Sequence, residues 1–572
     1  MASGLSHWEF GRFELYRVNP PLVRMVASLP VMFIGCETDW SPFYDAPGSR
    51  AEFPIGEAWM KANGPQSILL CFYARWACIP FSLIGGYFAY RWAHELYGNG
   101  AGLVTLFIWT FEPNLLAHAE LITPDSACWS FGVLAGYTFW RWLKQPTWVR
   151  VGLAGFSLGL AELSKLSWLI LFGVWPLLWL TWRWLESQKS VNPTTKGECQ
   201  TETEFLANAR RTLNASPSIG QFPPVTHRPS ILQLLVILLL AVHTINMGYG
   251  FDGFGIQLKD FQFVSTTLTG FDNSGQSGNR FKNSWIGQLP VPLPKQYVLG
   301  FDSQKKDLED FHGLSYLRGE WKHGGWWYYY IYGLWVKVPC SLWLLFIAIL
   351  VSRLCRPTHP IPWRDELVLL VPAVTLLAVV SAQTEFNIHL RYVYPSLALT
   401  TIFLGQSLGW PAKRWAFTEL FRVGMLGYFA LSCLFVYPHH LAYFNEFVGG
   451  SKNGYRHLLG SSFDWGQDLL LIRDAMQSAE LGRYKCVLWR PHQDNYDPEF
   501  LGVTLATTVE QRNEYDHIIV SYDTLTRPID HEGDWNHPVE VKPIRPLGTS
   551  EIHLGLTHKA FRSRFVESVP QK

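Results

Sequence analysis

The sequence predicts an all-α polytopic membrane protein with a small extracytoplasmic α/β domain at the C-terminal end of the chain. Three observations predict this fold class: the composition, the length of the apolar runs, and the distribution of basic residues between those runs. Of the 572 residues, 48% are hydrophobic and only 16% are charged, whereas ordinary soluble domains contain about 25% charged residues. A chain with so little charge is typical of proteins that contact lipid.

About ten apolar runs are long enough to cross a bilayer, which takes about 20 residues of helix. They lie approximately at residues 76–97, 101–117, 126–143, 148–163, 166–184, 231–251, 326–351, 367–382, 392–408 and 417–439. A further run, 22–36, is shorter and contains Arg24 and Pro30, so we interpret it as an interfacial helix.

Basic residues in the short connections predict the orientation, because such residues favour the cytoplasmic side. If the segment before the first span lies outside, the inner connections contain Arg141, Lys144, Arg150, Arg183, Lys189, Arg210, Arg211, Arg353, Arg356, Arg364, Lys413 and Arg414. The short outer connections contain two exceptions, Lys165 and Arg391. We therefore predict that the long loop 252–325 and the chain after His440 are extracytoplasmic.

Three regions follow from this topology. Residues 1–75 form an extracytoplasmic segment with the interfacial helix. Residues 76–440 form a transmembrane domain with an inner linker, 187–230, and an outer loop, 252–325. The linker has the Ser, Thr and Pro content of a flexible segment, whereas a long loop between spans is usually functional. Residues 441–572 are polar and contain helix-like and strand-like stretches, which predict the small α/β domain.

Composition and patterning also argue against several classes of function. The net charge is +1, so nothing indicates nucleic acid or another polyanion as a partner. The nine cysteines form no CxxC pair and several lie within apolar runs, which indicates core thiols rather than a disulfide framework or a zinc site. A transporter is the less favoured class, because two similar halves with interrupted helices are not visible.

Polar side chains cluster in EPNLLAHAELITPD, the connection between the second and third spans. This connection places Glu112, His118, Glu120 and Asp125 near one membrane face, where ionisable groups are costly and usually functional. The alternative is a solvated loop in which Asp125 only begins the next helix, since Thr-Pro-Asp-Ser is a favourable helix start.

A second cluster occurs in FNIHLRYVYP, at the outer end of another span. It contains His389 and Arg391, and the planar guanidinium of arginine suits phosphate oxygens. Lys165 and Lys337 also lie near the outer ends of spans. The alternative for these cations is interfacial anchoring, and Lys165 has a second alternative, an ion pair with Glu162. Several of these cations on one face would form a site for an anionic lipid headgroup.

Four segments together resemble the bacterial branch of the protein O-mannosyltransferases and lipid A aminoarabinose transferases, a superfamily of C-type glycosyltransferases. EPNLLAHAELITPD is similar to their outer loop, where one helix ends at Ala-His and the next begins with Thr-x-Asp. FNIHLRYVYP resembles a His-x-Arg-Tyr-x-x-Pro element, and LYRVNPPLVR an Asn-Pro-Pro-Leu segment. The most specific match is AYFNEFVGGSKNGYRHLLGSSFDWGQDL, which resembles the run after the last span. The four segments occur in the family's order between residues 15 and 469.

The resemblance implies a full fold of about eleven to thirteen spans and a polyprenyl-phosphate or dolichyl-phosphate sugar as donor. It also implies transfer to a protein, lipid or glycan acceptor on the extracytoplasmic face of a bacterial plasma (inner) membrane. Asp125 becomes a candidate catalytic carboxylate, and Arg391, His389, Lys165 and Lys337 become candidates for contacts with the donor phosphate and sugar. Further candidates within the matching segments are Asn19, His118, Glu112, Asn445, Glu446 and Asp464. No cofactor and no metal ligands follow from the sequence, although the family's chemistry allows a divalent metal ion.

The chain also departs from the family pattern. In the family, an Asp-Glu pair after the first span supplies the main catalytic carboxylate, some tens of residues before Asn-Pro-Pro-Leu. Here Asn19 lies only 18 residues after Met1, and neither an Asp-Glu pair nor a span precedes it. We therefore expect an N-terminally truncated chain with impaired activity, and the alternative function is a non-catalytic lipid-binding or glycan-binding protein. A smaller departure is Gly460-Ser461-Ser462-Phe463, which stands where the family often has Asp-Ser-Asn.

Overall fold

The computed structural model describes residues 1–191, 228–270, 276–355, 361–383, 386–408, 416–467 and 469–477, together with the short segments 486–489, 502–506, 517–520, 540–543 and 553–556. Most of the predicted inner linker, 187–230, lies outside the described residues. Much of the predicted C-terminal domain, 441–572, does so as well.

The described chain is mostly helical. Its helices are α1 (Ala2–Phe10), α2 (Leu22–Ile34), α3 (Glu52–Asn63), α4 (Gln66–Tyr97), α5 (Asn99–Phe111), α6 (Pro113–His118), α7 (Pro124–Lys144), α8 (Trp148–Ser164), α9 (Ile170–Val191), α10 (Ile231–Gly248), α11 (Thr266–Thr269), α12 (Lys295–Glu309), α13 (Tyr329–Lys337), α14 (Cys340–Cys355), α15 (Trp363–Ala382), α16 (Tyr394–Leu404), α17 (Ala416–Phe435) and α18 (Leu469–Met476). Short 3-10 turns extend several of them, including Leu166–Leu169 before α9 and Leu390–Val393 before α16.

Every predicted apolar run contains helix, but fewer helices than runs meet the requirements of a membrane span. Within the described residues, four helices are long and apolar enough: Gln66–Tyr97, Leu166–Gln188, Ile231–Gly248 and Trp363–Ala382. The pair α13 and α14 makes a fifth if this pair, bent by 107°, is one span. The structure thus supports an integral membrane protein, and the total of about ten spans stays a prediction.

Prolines explain why two of the predicted runs are interrupted. Run 101–117 divides at Pro113, where α5 ends and α6 begins. Run 326–351 divides at Pro339, between α13 and α14. A proline has no N–H to continue the helical hydrogen bonds and its ring collides with the preceding turn, so an uninterrupted helix is unfavourable at both places.

Glycines allow the central helices to approach closely. On α8, Gly155 and Gly159 lie against Ile237 and Thr244 of α10, where an added Cβ would collide with the neighbouring helix. This spacing of small residues is a common helix contact in membranes, because it lets two backbones come together. On α7, Gly132 leaves the space that the ring of Trp168 fills.

The N-terminal segment packs against the helical core. Helix α2 begins after the Asn19-Pro20-Pro21 sequence and contacts α1 and α4. Its Arg24 side chain is buried, whereas Phe33 in the last turn is exposed. The helix is therefore anchored by one face to the protein, and its predicted position at the membrane interface stays a prediction.

The described strands form two sheets. In the outer loop, β1 (Ser315–Leu317) pairs antiparallel with β2 (Glu320–Lys322). The second sheet has the order β4-β3-β5-β7-β6, formed by β3 (Cys486–Trp489), β4 (Leu505–Ala506), β5 (His517–Val520), β6 (Glu540–Pro543) and β7 (His553–Leu556). Strand β3 is parallel to β4 and β5, and β7 is antiparallel to β5 and β6. Strands lie where the sequence predicts them near residues 486 and 517, and their organisation as a separate outer domain stays a prediction.

The close approach at Gly132 leads to a stability prediction. We expect Gly132→Ala to lower the free energy of unfolding by about 1–3 kcal/mol, because the added methyl group overlaps the buried Trp168 ring. The matched control is Gly152→Ala on α8, where an added Cβ meets no atom within 4 Å. The measurement is the thermal unfolding midpoint of each purified variant in one detergent. Equal midpoints for the two variants would show that Gly132 is not a packing constraint.

Topology can be tested with cysteine labelling in intact cells. Trp285→Cys lies in the outer loop at a position that is exposed, so an impermeant thiol reagent should label it without lysis. Native Cys355, which is exposed at the end of α14, is the internal control and should be labelled only after permeabilisation. Labelling is compared with the parent protein to subtract the other cysteines. Labelling of Cys355 in intact cells, with labelling of the Trp285→Cys position only after permeabilisation, would contradict the predicted orientation.

Candidate functional site

A pocket of about 280 Å³ lies at the ends of several helices, beside the N-terminal segment. Its walls come from segments that are far apart in the sequence. They are Tyr16, Val18, Asn19, Pro20, Val23, Arg24, Ile122, Thr123, Pro124, Asp125, Lys165, Ser167, Gln304, Asp307, Leu308, Tyr330, Val380, Gln383, Phe386, Arg391, Tyr392 and Trp465. The pocket thus joins both predicted polar clusters to the Asn-Pro-Pro-Leu segment and to α12 of the outer loop.

A buried carboxylate holds two cations at this pocket. The Lys165 Nζ donates to Asp125 Oδ1 at 2.7 Å, and the Arg391 Nε lies 3.4 Å from Asp125 Oδ2. The Asp125 side chain is 1% exposed. Removing charges from water is costly unless they are paired, so the two cations stabilise the buried carboxylate and it stabilises them.

Local structure explains how the three side chains meet. Pro124 begins α7 after the extended residue Thr123, which places Asp125 in the first helical turn. Lys165 follows α8 in an extended conformation, before the 3-10 turn Leu166–Leu169. Arg391 lies in another 3-10 turn, just before α16. All three side chains therefore come from helix ends.

Aromatic rings position the two cations. The Arg391 guanidinium lies 4.1 Å from the centre of the Trp465 ring, and the Lys165 Nζ lies 4.6 Å from the centre of the Tyr392 ring. Contacts of this kind contribute about 0.5–2 kcal/mol. The Arg391 Nη1 is buried and has no hydrogen-bond partner among the described residues. This N–H group of the Arg391 guanidinium is therefore available to a ligand.

Arg24 is a third cation in the pocket wall, and the sequence analysis did not assign it to a site. Its Nη1 donates to the Asn19 carbonyl at 2.5 Å, and its Nε lies 2.6 Å from His7 Nε2. Its Nη2 is buried without a partner in the described part of the chain. The signal for this residue was an arginine within an apolar run, which is costly in a membrane protein unless it has a function.

Backbone strain occurs next to Arg24. Tyr16 has a φ of 66°, a left-handed conformation that costs a non-glycine residue about 1–3 kcal/mol. Its hydroxyl accepts a hydrogen bond from Asn19 Nδ2 at 2.7 Å, and its ring lies 5.3 Å from the Arg24 guanidinium. The strained residue thus orients two pocket side chains, as strained residues at binding sites often do.

The charges of the wall favour an anionic ligand. Three cations, Arg24, Lys165 and Arg391, stand against two carboxylates, Asp125 and Asp307. Asp125 is neutralised by its ion pairs, and Asp307 is paired with Arg50, which lies outside the wall. The free donors of Arg24 and Arg391 are suited to phosphate oxygens.

Two predicted histidines lie beside the pocket without lining it. The buried His118 ring is 6.2 Å from the Trp465 ring and 5.5 Å from the Tyr394 ring. The His389 Nδ1 lies 2.6 Å from the Ser461 hydroxyl. The His389 ring also lies 5.5 Å from the ring of Tyr392, so both histidines pack against residues of the wall without lining the pocket.

Three other predicted residues hold the backbone together away from the pocket. The Lys337 Nζ donates to the carbonyls of Leu441 at 2.6 Å and Ser462 at 2.8 Å. Glu112 accepts from the Leu115 backbone N–H at 2.7 Å, as a helix N-cap does. Like Lys337, the Asn445 side chain donates to backbone carbonyls, in this case those of Trp335 and Val338. The Lys337 ammonium group thus donates hydrogen bonds to backbone carbonyls and does not line the pocket.

The remaining predicted residues also make local contacts. Glu446 accepts from the Ser432 hydroxyl at 2.7 Å, and Asp464 accepts from the Gly466 N–H at 2.9 Å. Glu162 accepts from the Tyr297 hydroxyl at 2.9 Å. The alternative in which Glu162 pairs with Lys165 is therefore wrong, because Lys165 turns to Asp125.

The residues that the structure describes contain no group of three or more His, Cys, Asp or Glu side chains that could hold a metal ion. Both carboxylates of the pocket wall are paired with cationic side chains. The donor set in the wall fits an anion better than it fits a metal.

One segment of the chain matches a known protein family. Residues 71–193 match the family model described as Dolichyl-phosphate-mannose-protein mannosyltransferase, which confirms the resemblance that the motifs indicate. The matched segment contains both Asp125 and Lys165. No curated protein matches the sequence significantly.

Two crystal structures of ArnT from Cupriavidus metallidurans are similar to the chain, one in the apo state and one bound to undecaprenyl phosphate. Sequence identities are 13% and 12%, and TM-scores are 0.38 and 0.39. Each match covers 97% of this chain and 92% of the ArnT chain.

The buried ion pair leads to a prediction about stability. We expect Asp125→Asn and Lys165→Met each to lower the free energy of unfolding by about 3–5 kcal/mol, because each removes one partner of a buried ion pair. The double variant should be less destabilised than the sum of the two single variants. The measurement is a double-mutant cycle of thermal unfolding in one detergent. Additive effects would show that the two side chains do not stabilise each other.

Proposed function

We propose that this chain, which resembles C-type glycosyltransferases, transfers a sugar from a polyprenyl-phosphate donor to a protein, lipid or glycan acceptor. The observation that carries this proposal is the convergence of Arg24, Lys165 and Arg391 on one pocket, with unused donors on both arginines. The family model matched by residues 71–193 is named for a phosphate-linked sugar donor, which supports the same chemistry.

The wall of the pocket accounts for departure of the lipid phosphate. When the bond between the sugar C1 and the phosphate oxygen breaks, negative charge develops on the phosphate. Donors that already point at this position stabilise that charge, and interactions of this kind are usually the largest contribution to catalysis. Arg391 and Arg24 supply guanidinium donors, and Lys165 supplies an ammonium group. In this proposal, the fixed cations perform this step.

Asp125 acts in this proposal by holding the cations. Both of its oxygens lie within ion-pair distance of cations, which stabilise its charged form and make it a weak base. A carboxylate in this position orients Lys165 and Arg391 and prevents their mutual repulsion. Its contribution to catalysis is therefore one of positioning.

We also infer the location of this chemistry. The basic residues of the short connections favour an extracytoplasmic pocket, and the resemblance to the bacterial branch favours the plasma membrane of a bacterium. The donor lipid would then enter the pocket from the bilayer. The acceptor would reach it from the extracytoplasmic side.

A second function is favoured by one observation. Since Asp125 is held by two cations, the pocket could bind a lipid phosphate without transferring a sugar, as a non-catalytic lipid-binding protein would. Release of undecaprenyl phosphate from a lipid-linked sugar distinguishes the two functions. The transferase releases it, whereas the binding protein retains the donor unchanged.

The donor site is tested with Arg391→Lys, which keeps the charge and removes the guanidinium fork. We expect about 10- to 100-fold weaker binding of radiolabelled undecaprenyl phosphate, since a charge-assisted hydrogen bond contributes about 1.5–3 kcal/mol. The matched control is Arg318→Lys in the exposed β1–β2 turn, which is outside the pocket wall. If both variants keep the affinity of the wild-type protein, Arg391 is an interfacial anchor.

A further inference from the structure

We propose that Asp307 is a further catalytic residue of this pocket, the carboxylate that accepts the proton of the acceptor group. The inference rests on the proposed function, because that function places the bond between sugar and phosphate beside the cations of the wall. Asp307 lies in the outer loop 252–325, whose length predicts a function, and the inference gives this loop a specific catalytic residue.

Position distinguishes Asp307 from Asp125. Among the described residues that line the pocket, these two are the carboxylates. The Asp307 side chain is 40% exposed, whereas that of Asp125 is 1% exposed. An acceptor that arrives from the aqueous side therefore meets Asp307 before Asp125.

Asp307 is also close to the donor site. Tyr392, whose ring lies 4.6 Å from the Lys165 ammonium group, lines the same pocket as Asp125 and Asp307. The carboxylate that holds the cations and the carboxylate that is open to solvent thus face one cavity. A sugar attached to a phosphate at the cations would lie in this cavity.

The rest of the fold holds Asp307 in place. Its helix, α12, is fastened to the N-terminal segment, since Gln304 donates to the Val18 carbonyl at 2.6 Å and Gly300 lies against the Arg17 backbone. The approach at Gly300 is so close that an added Cβ would collide with the Arg17 carbonyl. A catalytic group needs such a rigid support.

The pairing of Asp307 leaves it able to accept a proton. Arg50 Nη1 donates to both carboxylate oxygens, at 2.9 and 3.2 Å, and Arg50 also pairs with Glu52 at 2.5 Å, which shares its charge. Burial raises the pKa of the Asp307 carboxyl above its ordinary value, although the Arg50 charge acts in the opposite direction. A raised pKa makes a carboxylate a stronger base.

The reaction balances with the groups named. The acceptor oxygen or nitrogen attacks C1 of the sugar, and a new bond forms between them. The bond from C1 to the phosphate oxygen breaks, and its electron pair leaves with the polyprenyl phosphate, which the cations stabilise. The proton of the acceptor hydroxyl or amine moves to Asp307, which returns it to water afterwards.

The test compares Asp307→Asn, Asp307→Glu and the control Asp310→Asn in the full chain, purified in lipid nanodiscs. Asp310 follows the same helix but is not part of the pocket wall. Binding is measured with radiolabelled undecaprenyl phosphate. Turnover is measured as undecaprenyl phosphate released from undecaprenyl phosphate mannose and, in parallel, from a bacterial extract of lipid-linked sugars, across a range of pH.

We expect Asp307→Asn to keep the wild-type affinity for undecaprenyl phosphate and to lose about 10²- to 10⁴-fold in turnover, as the removal of a general base does. Wild-type turnover should fall as the pH drops through the pKa of Asp307, because a protonated carboxyl cannot accept a proton. The asparagine variant should lack this dependence. Asp307→Glu should recover part of the turnover. Asp310→Asn should keep the wild-type turnover at neutral pH, with its fall moved to lower pH because the Asp310 charge contributes to the raised pKa of Asp307.

Two results would overturn the inference alone. One is equal turnover by Asp307→Asn and Asp310→Asn. The other is a parallel loss of binding and turnover in Asp307→Asn, which would show that the residue only supports the site. A wild-type protein that binds no undecaprenyl phosphate, or releases none from either donor, would contradict the proposed function and this inference together.

Discussion

The site depends on the burial of the Asp125 carboxylate between Lys165 and Arg391. A carboxylate that is 1% exposed in the first turn of α7 is stable only if cations are brought to it. Because the two cations come from α8 and from the turn before α16, their pairing forces three helix ends to converge. The pocket is the space that this convergence leaves beside the N-terminal segment.

A second set of polar contacts makes the convergence possible. The helices near the pocket are short or broken, and broken helices leave backbone carbonyls without partners, which membrane proteins must satisfy internally. Asn445 donates to the carbonyls of Trp335 and Val338 at the break at Pro339, and Lys337 donates to carbonyls in the irregular chain that follows α17. Glu112 caps the helix that follows the other break. These side chains therefore have a structural function that makes the irregular backbone tolerable.

The two carboxylates of the pocket have different surroundings and, as we propose, different functions. Asp125 is buried and shared between two cations, whereas Asp307 is open to solvent and held by one arginine that is itself paired. Enzymes commonly separate the functions of similar groups by such differences in environment. In the proposed reaction, one carboxylate positions the cations for the leaving phosphate and the other receives the proton of the acceptor.

The sequence by itself determined the membrane class and the places of the helices, and it singled out Asp125, Lys165, Arg391 and Asn19 as candidates, which all line the pocket. It could do so because hydropathy and misplaced charges are properties of a local segment. Only the tertiary structure decided that Lys337 turns away from the pocket and that Arg24 and Asp307 line it. Those outcomes depend on which helix ends meet across hundreds of residues, and a local pattern carries no information about such distant contacts.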